Sequence, residues 1–463
     1  MKEPLSNLQA VVTQDGGVVS TPFSETRLQP LIDRAYSVLL GNWIDGWTRP
    51  SPTLFPHQWN WDSGFIALGY LHLEPEQAYR EMRSLFRAQW IDGFLPHIVF
   101  NNVHINHFPG PDYWRSDTSG RMPPGVYTSG IGQPPVHASI LVHALELDPD
   151  RERAEGFLRE MYPRLVELHD FYYTFRDPDG EGLVSIIHPW ESGLDHSEVW
   201  TELLEALDGS SPWAEEMQAR YDEMNGHKRE ARCSYIASYS YLVERLFTRG
   251  YHWKTVLNDH PFVVQNVLFN SVLCRAERDL AKIAEVLGEN SEIHRERSER
   301  TARAMNEKLW NSQLGAYCDW DVVRGKPVPR LSVFSFIPMY AGIVPSDQLK
   351  VLCDALTGHC LDDFDAPNVV AACGCEECKC WRGPVWINVC WYIIQGLREA
   401  GEHEEAEKLV DFILNLVDKS GFFEYFAPDT GLGQGENNFS WTAALVIDLA
   451  AERLKIQGQP RAE

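Results

Sequence analysis

The 463-residue chain lacks any long apolar run: no segment approaches the roughly 18 consecutive apolar residues of a membrane-spanning helix. Its first residues, MKEPLSNLQAVVTQDGG, contain no apolar core of a secretory signal. Positive charge is also scarce, with 41 Lys and Arg against 66 Asp and Glu and a formal net charge of −25. We therefore expect a cytoplasmic protein with no membrane span, whose acidity disfavours nucleic-acid phosphates and anionic lipids as partners.

Low-complexity segments, long charge blocks and Pro/Ser-rich linkers are absent as well. Residues 1–25 are predicted to be a polar N-terminal lead-in, and residues 26–463 a single domain. The ten cysteines, in a chain expected to stay in the cytosol, predict reduced thiols rather than a disulfide framework. The sequence leaves the oligomeric state open.

Helical periodicity recurs along the chain, whereas strand patterns are few and short. The helical segments are 28–40, 76–90, 134–147, 151–175, 263–288, 292–310, 346–356, 383–400, 403–419 and 440–454. Helix pairs return at a period of roughly 50–60 residues, with loops rich in Gly, Pro and aromatic residues. This pattern predicts an all-α toroid of paired helices whose loops gather at one end. Residues 196–260 break the rhythm and are predicted to form a lid-like insertion.

Two carboxylates stand among aromatic residues and glycines, where a carboxylate is costly to bury. Asp195 lies in the sequence HPWESGLDHS, and Glu424 lies in GFFEYFAPDTG. Hydrolysis of a sugar bond needs one acid to protonate the leaving oxygen and one base to activate water. We expect Asp195 to be the acid and Glu424 the base, with Glu436 as a rival base. The alternatives are a helix cap for Asp195 and a solvated loop edge for Glu424.

Other residue types near these motifs suit sugar binding. The chain has 16 Trp, 17 Tyr and 21 Phe, most of which must pack in the core. Trp59, Trp61 and Asp62 would clamp a sugar between rings and a carboxylate, unless they begin a helix with Asp62 as its cap. Gln133, held before two prolines, would bond hydroxyls or mark a helix start, and Gly193 would let the backbone approach a ligand closely.

A cluster of four cysteines in the segment Cys373–Cys380 raises the question of a metal site. The Cys-x-Cys spacing is cramped for one tetrahedral ion, and no histidine or second pair completes a set. We therefore predict no metal and no cofactor, and interpret the cluster as a loop rich in thiols. The sequence WRGPVWIN that follows includes Arg382, which could pair with a catalytic carboxylate or a ligand anion.

Two arginines form a basic island in this acidic chain. Arg229 and Arg232 lie in the sequence HKREAR. A solvated helix face is one interpretation, and a clamp for an anionic part of the substrate is the other.

The motifs WNWDSGF, GIGQPP, HPWESGLDHS, CWRGPVWIN and FFEYFAPDTGLGQGENNFSWTAAL occur in this order along most of the chain. Together they resemble the inverting glycoside hydrolases of family 63, with weaker similarity to the family 37 trehalases. The resemblance implies an (α/α)6 barrel. It also implies that Asp195 is the general acid, that Glu424 is the general base, and that Glu436 lies near the substrate. The positions that match sugar-contacting residues are Trp61, Asp62, Gln133 and Gly193, with Trp381 in a loop that closes the pocket.

Within that family the chain is similar to the short members that hydrolyse glucosylglycerate or mannosylglycerate, since it has no room for an additional β-sandwich domain. A glycerate carboxylate would need cationic or multiple hydrogen-bond donors, for which Arg229 is the candidate and Arg232 a rival. Phe55, where a hydroxylated aromatic would serve a polar ligand better, and the cysteine cluster depart from the family pattern.

Other functions stay open at this point. A trehalase or α-glucosidase would share the barrel without needing an anion clamp. A sugar epimerase or isomerase would use His188 and His196, which flank the acid candidate, and would leave the Glu424 motif unexplained. A non-catalytic sugar-binding protein would bind a ligand and release no product.

Overall fold

The computed structural model describes residues 22–101, 107–224, 235–356, 381, 383–428 and 430–458, with backbone alone for 456–458 and for two short strands before residue 22. Arg229, Arg232, Arg382 and the Cys373–Cys380 segment, which carried functional hypotheses, lie outside the described residues.

The described chain is mostly helical, as the sequence predicts. Its α-helices are α1 (Leu28–Asn42), α2 (Asn60–Leu71), α3 (Pro75–Phe86), α4 (Pro111–Trp114), α5 (His137–Leu141), α6 (Ala144–Leu147), α7 (Arg151–Phe175), α8 (Thr201–Glu205), α9 (Pro212–Met224), α10 (Ile236–Phe247), α11 (Trp253–Asp259), α12 (Val267–Leu287), α13 (Glu292–Ala304), α14 (Pro338–Ala341), α15 (Ser346–Ala355), α16 (Ile387–Glu399), α17 (His403–Ser420) and α18 (Ser440–Gly458). Short 3-10 turns lie at Glu25–Arg27, Ser116–Ser119, Pro189–Ser192, Glu198–Trp200 and Val333–Phe336, and a π turn at Met305–Leu309.

The strands are short and belong to the loops. They are β1 (Val11–Val12), β2 (Val18–Val19), β3 (Trp43–Ile44), β4 (Trp47–Thr48), β5 (Gln58–Trp59), β6 (Ile98–Val99), β7 (Ser185–Ile186), β8 (Val264–Gln265), β9 (Trp310–Asn311), β10 (Ala316–Tyr317), β11 (Trp320–Asp321), β12 (Lys326–Pro327), β13 (Phe423–Phe426) and β14 (Gly433–Asn437). They pair as antiparallel ribbons, except for a four-stranded sheet in the order β12-β11-β8-β7, where Gln265 is opposite both Trp320 and Ser185.

Six helices pack in a closed circuit: α2 on α5, α5 on α12, α12 on α14, α14 on α16, α16 on α18, and α18 back on α2. A second set packs against members of this circuit, with α1 on α18, α3 on α2, α7 and α13 on α12, and α17 on α16. Every residue of α2 is buried, whereas α1 and α3 bury one face. The circuit helices therefore form the centre of the molecule, because a helix that is apolar all round must be covered on all sides.

The predicted helices match the structure to different degrees. The segment 151–175 matches α7 at both ends, with Asp150 accepting a capping bond from the Arg153 N–H. The segment 134–147 instead splits into α5 and α6, and 383–400 begins four residues late at Ile387. The helices that were not predicted are buried all round, short, or placed in the predicted insertion; they are α2, α4, α8, α9, α10, α11 and α14.

The predicted insertion at 196–260 contains α8, α9, α10 and α11, and α9 packs against α10. Among the helices in the described ranges, none is long and apolar enough to cross a membrane. Cys274, Cys318 and Cys390 are buried thiols, and burial raises their pKa to about 11, 11 and 12. They are packing groups rather than reactive ones.

Candidate active site

A cavity of about 600 Å³ opens where several circuit helices begin. Trp61 and Asp62 lie in the first turn of α2, Trp386 immediately precedes α16, and Phe439 and Trp441 flank the start of α18. The first turn of a helix carries unpaired N–H groups and the positive end of the helix dipole. The helix dipoles therefore favour negative or strongly polar groups near these helix starts.

Most of the predicted site residues meet at this cavity. Those that line it are Trp59, Trp61, Asp62, Gln133, Gly193, Asp195, Trp381 and Glu424. Arg229 lies outside the described residues, and Glu436 is not among the lining groups. Asp195, Trp381 and Glu424, which are far apart in the sequence, thus converge with the start of α2 in one place.

Aromatic rings form a fixed wall on one side of the cavity. The rings of Trp381 and Trp386 are stacked, with centroids 3.7 Å apart and planes inclined by 5°. Trp386 also stacks on Tyr425 at 4.7 Å, and Trp61 meets Trp441 edge to face at 5.8 Å. Rings held by one another in this way keep their orientation without a ligand.

Asp62 is a buried carboxyl group beside two other acids. Burial raises its pKa well above the ordinary value, and the negative charges of Glu424 and Asp195 raise it further. The three carboxyl groups therefore lie within electrostatic reach of one another. The capping hypothesis for Asp62 is wrong, because Trp59 occupies the N-cap position of α2 and Asp62 lies inside the first turn.

Glu424 is held by an irregular hairpin. The pairing of β13 with β14 shifts register between Phe423 and Tyr425, where Glu424 lies. Gly435, on the facing strand, has φ +67°, and a Cβ atom there would collide with the Glu424 carboxylate. The N–H of Glu436 donates to Glu424 Oε2 at 3.2 Å. A bulge of this kind re-aims a side chain, here into the cavity. Glu424 is 4% exposed, so it is not a solvated loop edge.

The Glu436 side chain is directed to the rim of the cavity rather than to its interior. Its Oε2 accepts hydrogen bonds from Ser51 Oγ at 3.2 Å, from the Leu54 N–H at 3.2 Å and from the Thr53 hydroxyl. Thr53 and Leu54 themselves line the cavity. Glu436 therefore fixes the loop that forms part of the cavity wall.

Asp195 lies at the end of a tight turn. The 3-10 turn Pro189–Ser192 ends at Gly193, whose φ of +76° suits glycine and where a Cβ atom would collide with the Trp61 ring. The Tyr239 hydroxyl donates to the backbone carbonyl of Asp195. The capping hypothesis for Asp195 is wrong, because Ser197 is the N-cap and accepts from the Val199 N–H.

Gln133 is hydrogen-bonded to the start of α2, a helix to which it does not belong. Its Oε1 accepts a hydrogen bond from the Trp61 N–H at 3.2 Å, which satisfies a free donor in the first turn of α2. The residue also lines the cavity.

The histidines flanking Asp195 differ in placement. His188 is buried away from the cavity lining, with Nδ1 accepting from the Trp190 N–H at 3.1 Å and Nε2 3.3 Å from the Tyr239 carbonyl. Burial lowers its pKa well below the ordinary value, so it is a neutral packing group. His196 lines the cavity with its ring stacked on Tyr239 at 5.7 Å. His188 and His196 therefore do not meet in the cavity as the epimerase or isomerase hypothesis requires.

Comparison with known proteins gives the family. Residues 55–442 match the family model described as the mannosylglycerate hydrolase MGH1-like glycoside hydrolase domain. The chain belongs to this glycoside hydrolase family. The resemblance to family 63 is confirmed.

Relatives of this glycoside hydrolase match over nearly their whole length. The mannosylglycerate hydrolase of Rubrobacter radiotolerans is 39% identical over 435 residues, which cover 92% of this chain and 98% of the relative. The glucosylglycerate hydrolase of Mycolicibacterium hassiacum is 30% identical over 448 residues, covering 90% and 97%. The crystal structure of a GH63 mannosylglycerate hydrolase from Thermus thermophilus, in complex with Tris and D-glycerate, superposes with a TM-score of 0.78 at 36% identity, covering 90% of this chain and 99% of that chain.

Several lining residues of the glycoside hydrolase were not predicted from its sequence. They are His97, His107, Trp190, Tyr221, Ile236, Trp386, Phe439 and Trp441, among others. Trp190, Trp386 and Trp441 stand inside the quoted motifs, so their aromatic character was a usable signal. His97 had none: its Nδ1 pairs with Ser129 Oγ at 2.8 Å, and burial lowers its pKa to about 3.

Proposed function

We propose that the enzyme hydrolyses α-mannosylglycerate or α-glucosylglycerate to the free sugar and glycerate, with inversion at the anomeric carbon. The observation that carries the proposal is that Asp195 and Glu424 line one cavity whose wall is aromatic. Relatives that are named for these two substrates, and that match over nearly their full length, support the choice of substrate.

In the proposed reaction, Asp195 donates its proton to the glycosidic oxygen while the bond from that oxygen to the sugar breaks. A water molecule bonds to the anomeric carbon from the opposite face and gives its proton to Glu424. The fixed position of Glu424 in its hairpin supports the role of base, because a base must be held against the water it activates.

The sugar is proposed to lie against Trp59, Trp61 and Trp381, with Gln133 and the backbone at Gly193 bonding its hydroxyls. Asp62 keeps its proton to a higher pH than an ordinary aspartic acid, so it can both donate to and accept from sugar hydroxyls. Glu436 is proposed to act near the substrate through the loop it holds.

The glycerate carboxylate needs positive charge or several donors. Arg229 stays our candidate for this clamp and Arg232 its rival. The first turns of α2, α16 and α18, which open onto the cavity, would favour the same anion.

The circuit of six helices and the helices packed against it support an (α/α)6 barrel, formed by residues 26–463 as one catalytic domain after the lead-in at 1–25. We propose that residues 196–260 act as a lid, because Tyr221 and Met224 of α9 and Ile236 of α10 line the cavity. A cytoplasmic location, and action without metal or cofactor, complete the proposal.

The test is proton NMR of the purified enzyme with mannosylglycerate, glucosylglycerate and trehalose in parallel, with Asp195→Asn as the matched variant. We expect early release of the β-anomer from one glycerate glycoside, slow release from trehalose, and a loss of turnover of about 10²–10⁴-fold in the variant.

Release of the α-anomer first would contradict inversion. Turnover of trehalose alone would show that trehalose, rather than a glycerate glycoside, is the substrate. Near-normal turnover by Asp195→Asn would show that Asp195 is not the acid.

A further inference from the structure

A buried ion pair joins Arg176, at the end of α7, to Glu191 in the loop that carries Asp195. Arg176 Nη1 donates to Glu191 Oε2 at 3.1 Å, and Nη2 donates to Oε1 at 3.0 Å. The two side chains are 1% and 2% exposed. A two-point pair of this kind fixes direction as well as distance, and burial leaves neither group a water molecule as a substitute partner.

Glu191 accepts two further hydrogen bonds from the backbone. The Ile187 N–H donates to its Oε2 at 2.7 Å, and the Gly132 N–H donates to its Oε1 at 3.2 Å. Each carboxylate oxygen thus has one arginine and one backbone donor. The carboxylate connects three stretches of chain: the end of α7, which carries Arg176, the start of the turn toward Asp195, and the loop before Gln133.

The turn between Glu191 and Asp195 is short and well bonded. Ser192 Oγ donates to the Pro189 carbonyl at 2.6 Å and accepts from the Leu194 N–H at 3.0 Å. Trp200 Nε1 donates to the Leu194 carbonyl at 2.8 Å. Because these bonds hold the turn, we expect a shift of Glu191 to shift Asp195, four residues later.

The hydrogen bond from the Gly132 N–H connects Glu191 to the residues that are proposed to bind the sugar. Gly132 precedes Gln133, whose Oε1 accepts from the first turn of α2 beside Asp62. Resting on the proposed function, we infer that Glu191 and Arg176 are positioning residues, which set the acid Asp195 at a fixed place relative to the sugar held by α2. They do not line the cavity and do not touch the reacting atoms.

The experiment compares two leaving groups. A glycerate glycoside needs its leaving oxygen protonated, whereas an α-glycosyl fluoride releases fluoride ion and needs little help from an acid. We expect Glu191→Asp, which keeps the charge but shortens the side chain, to lower kcat on mannosylglycerate or glucosylglycerate by about 10²-fold with little change in KM. On α-mannosyl or α-glucosyl fluoride, the same variant should lose less than about tenfold.

Two variants calibrate the result. Asp195→Asn shows the ratio of the two rates when the acid is removed. Glu277→Gln alters another fully buried carboxylate, which accepts from His294 Nδ1 at 2.7 Å in a contact between α12 and α13, so it should lower stability and leave the ratio at the wild-type value. Arg176→Lys, which keeps the charge and loses the two-point geometry, carries the same test if Glu191→Asp does not fold by circular dichroism.

A ratio in Glu191→Asp or Arg176→Lys that moves toward that of Asp195→Asn supports the inference. A wild-type ratio in the folded variants, whether both rates fall or neither does, overturns it. If Asp195→Asn itself loses both substrates equally, the assignment of the acid fails instead, and the two failures are thereby distinguished.

Discussion

At the scale of single residues, the two glutamates of the β13–β14 hairpin have different surroundings. Glu424 lines the cavity, whereas the Glu436 carboxylate accepts from Ser51, Thr53 and the Leu54 N–H at its rim. Only twelve residues separate them, so spacing in the sequence could not choose a base. The direction of each side chain favours Glu424 as the base.

We predict that Glu424→Gln lowers kcat by about 10²–10⁴-fold, because the amide cannot take a proton from water. Glu436→Gln should keep kcat within about tenfold and raise KM, because its amide loses one acceptor for the loop of Thr53 and Leu54. Steady-state kinetics on the preferred glycerate glycoside provides the measurement.

Thr53→Val is the control, since it removes one donor to Glu436 without touching the hairpin and should also raise KM. A fall in kcat for Glu436→Gln as large as that for Glu424→Gln would make Glu436 the base.

The site could be predicted where function has a local signature. Asp195, Glu424 and the tryptophans stand among glycines and rings in the sequence itself. The ion pair of Arg176 with Glu191 has no such signature, because its purpose appears only when α7 and two loops meet in the fold. Residues that act through another residue are hidden from sequence patterns for this reason.

At the scale of elements, α2 and α3 are joined by a buried polar contact behind the cavity. Glu81 of α3 accepts from Ser63 Oγ of α2 at 2.5 Å and from Gln58 Nε2 of β5 at 2.8 Å. Burial raises the pKa of Glu81 to about 7, although these hydrogen bonds lower it in part. A raised pKa means that the folded protein binds this proton more tightly than the unfolded chain does.

The stability that comes from this proton is therefore present below the unfolded pKa of 4.5 and is lost as the pH rises through about 7. We predict that Glu81→Gln, which has no proton to lose, removes this part of the pH dependence. Between pH 4.5 and 8 the free energy of unfolding of the wild type should fall by about 3 kcal/mol relative to the variant. Urea unfolding at both pH values measures it, and parallel curves for the two proteins would contradict the raised pKa.

Elements were predictable when their burial is one-sided. A helix such as α7 shows its apolar stripe in the sequence, and its cap at Asp150 marks the start. Helix α2 is buried on every side and α14 has only four residues, so neither shows a stripe. Of the six circuit helices, α2 and α14 were therefore missed, whereas segments containing α5, α12, α16 and α18 were predicted.

At the scale of the whole molecule, the circuit closes where α18 meets α2. Gly69 of α2 lies against the backbone of Ala444 of α18, and a Cβ atom at position 69 would come within 2.7 Å of the Ala444 Cα. Ser440 adds hydrogen bonds to the segment after α1, with its N–H donating to the Pro50 carbonyl at 2.8 Å. The closure therefore depends on a close approach of two backbones.

We predict that Gly69→Ala lowers the free energy of unfolding by about 1–3 kcal/mol, because the added methyl group forces the two helices apart. Gly156→Ala is the matched control: this glycine also lies within a helix, α7, but nothing approaches its Cβ position within 4 Å. It should raise stability by about 0.5–1 kcal/mol, the usual gain from Gly to Ala in a helix. Urea unfolding of both variants gives the signs, and a stabilised Gly69→Ala would contradict the close approach.

The meeting of α1 and α2 with α18 also bears on how the enzyme is made. Asn42 at the end of α1 donates to Ser440 Oγ at 3.0 Å, a bond between residues 398 positions apart in the chain. On the ribosome, the apolar faces of α1 and α2 are finished long before α18 emerges to cover them, so they stay exposed to other chains for most of translation. Glu424, the proposed base, also emerges late, so a nascent chain holds Asp62 and Asp195 without it, and we expect no hydrolysis until synthesis of the ring is almost complete.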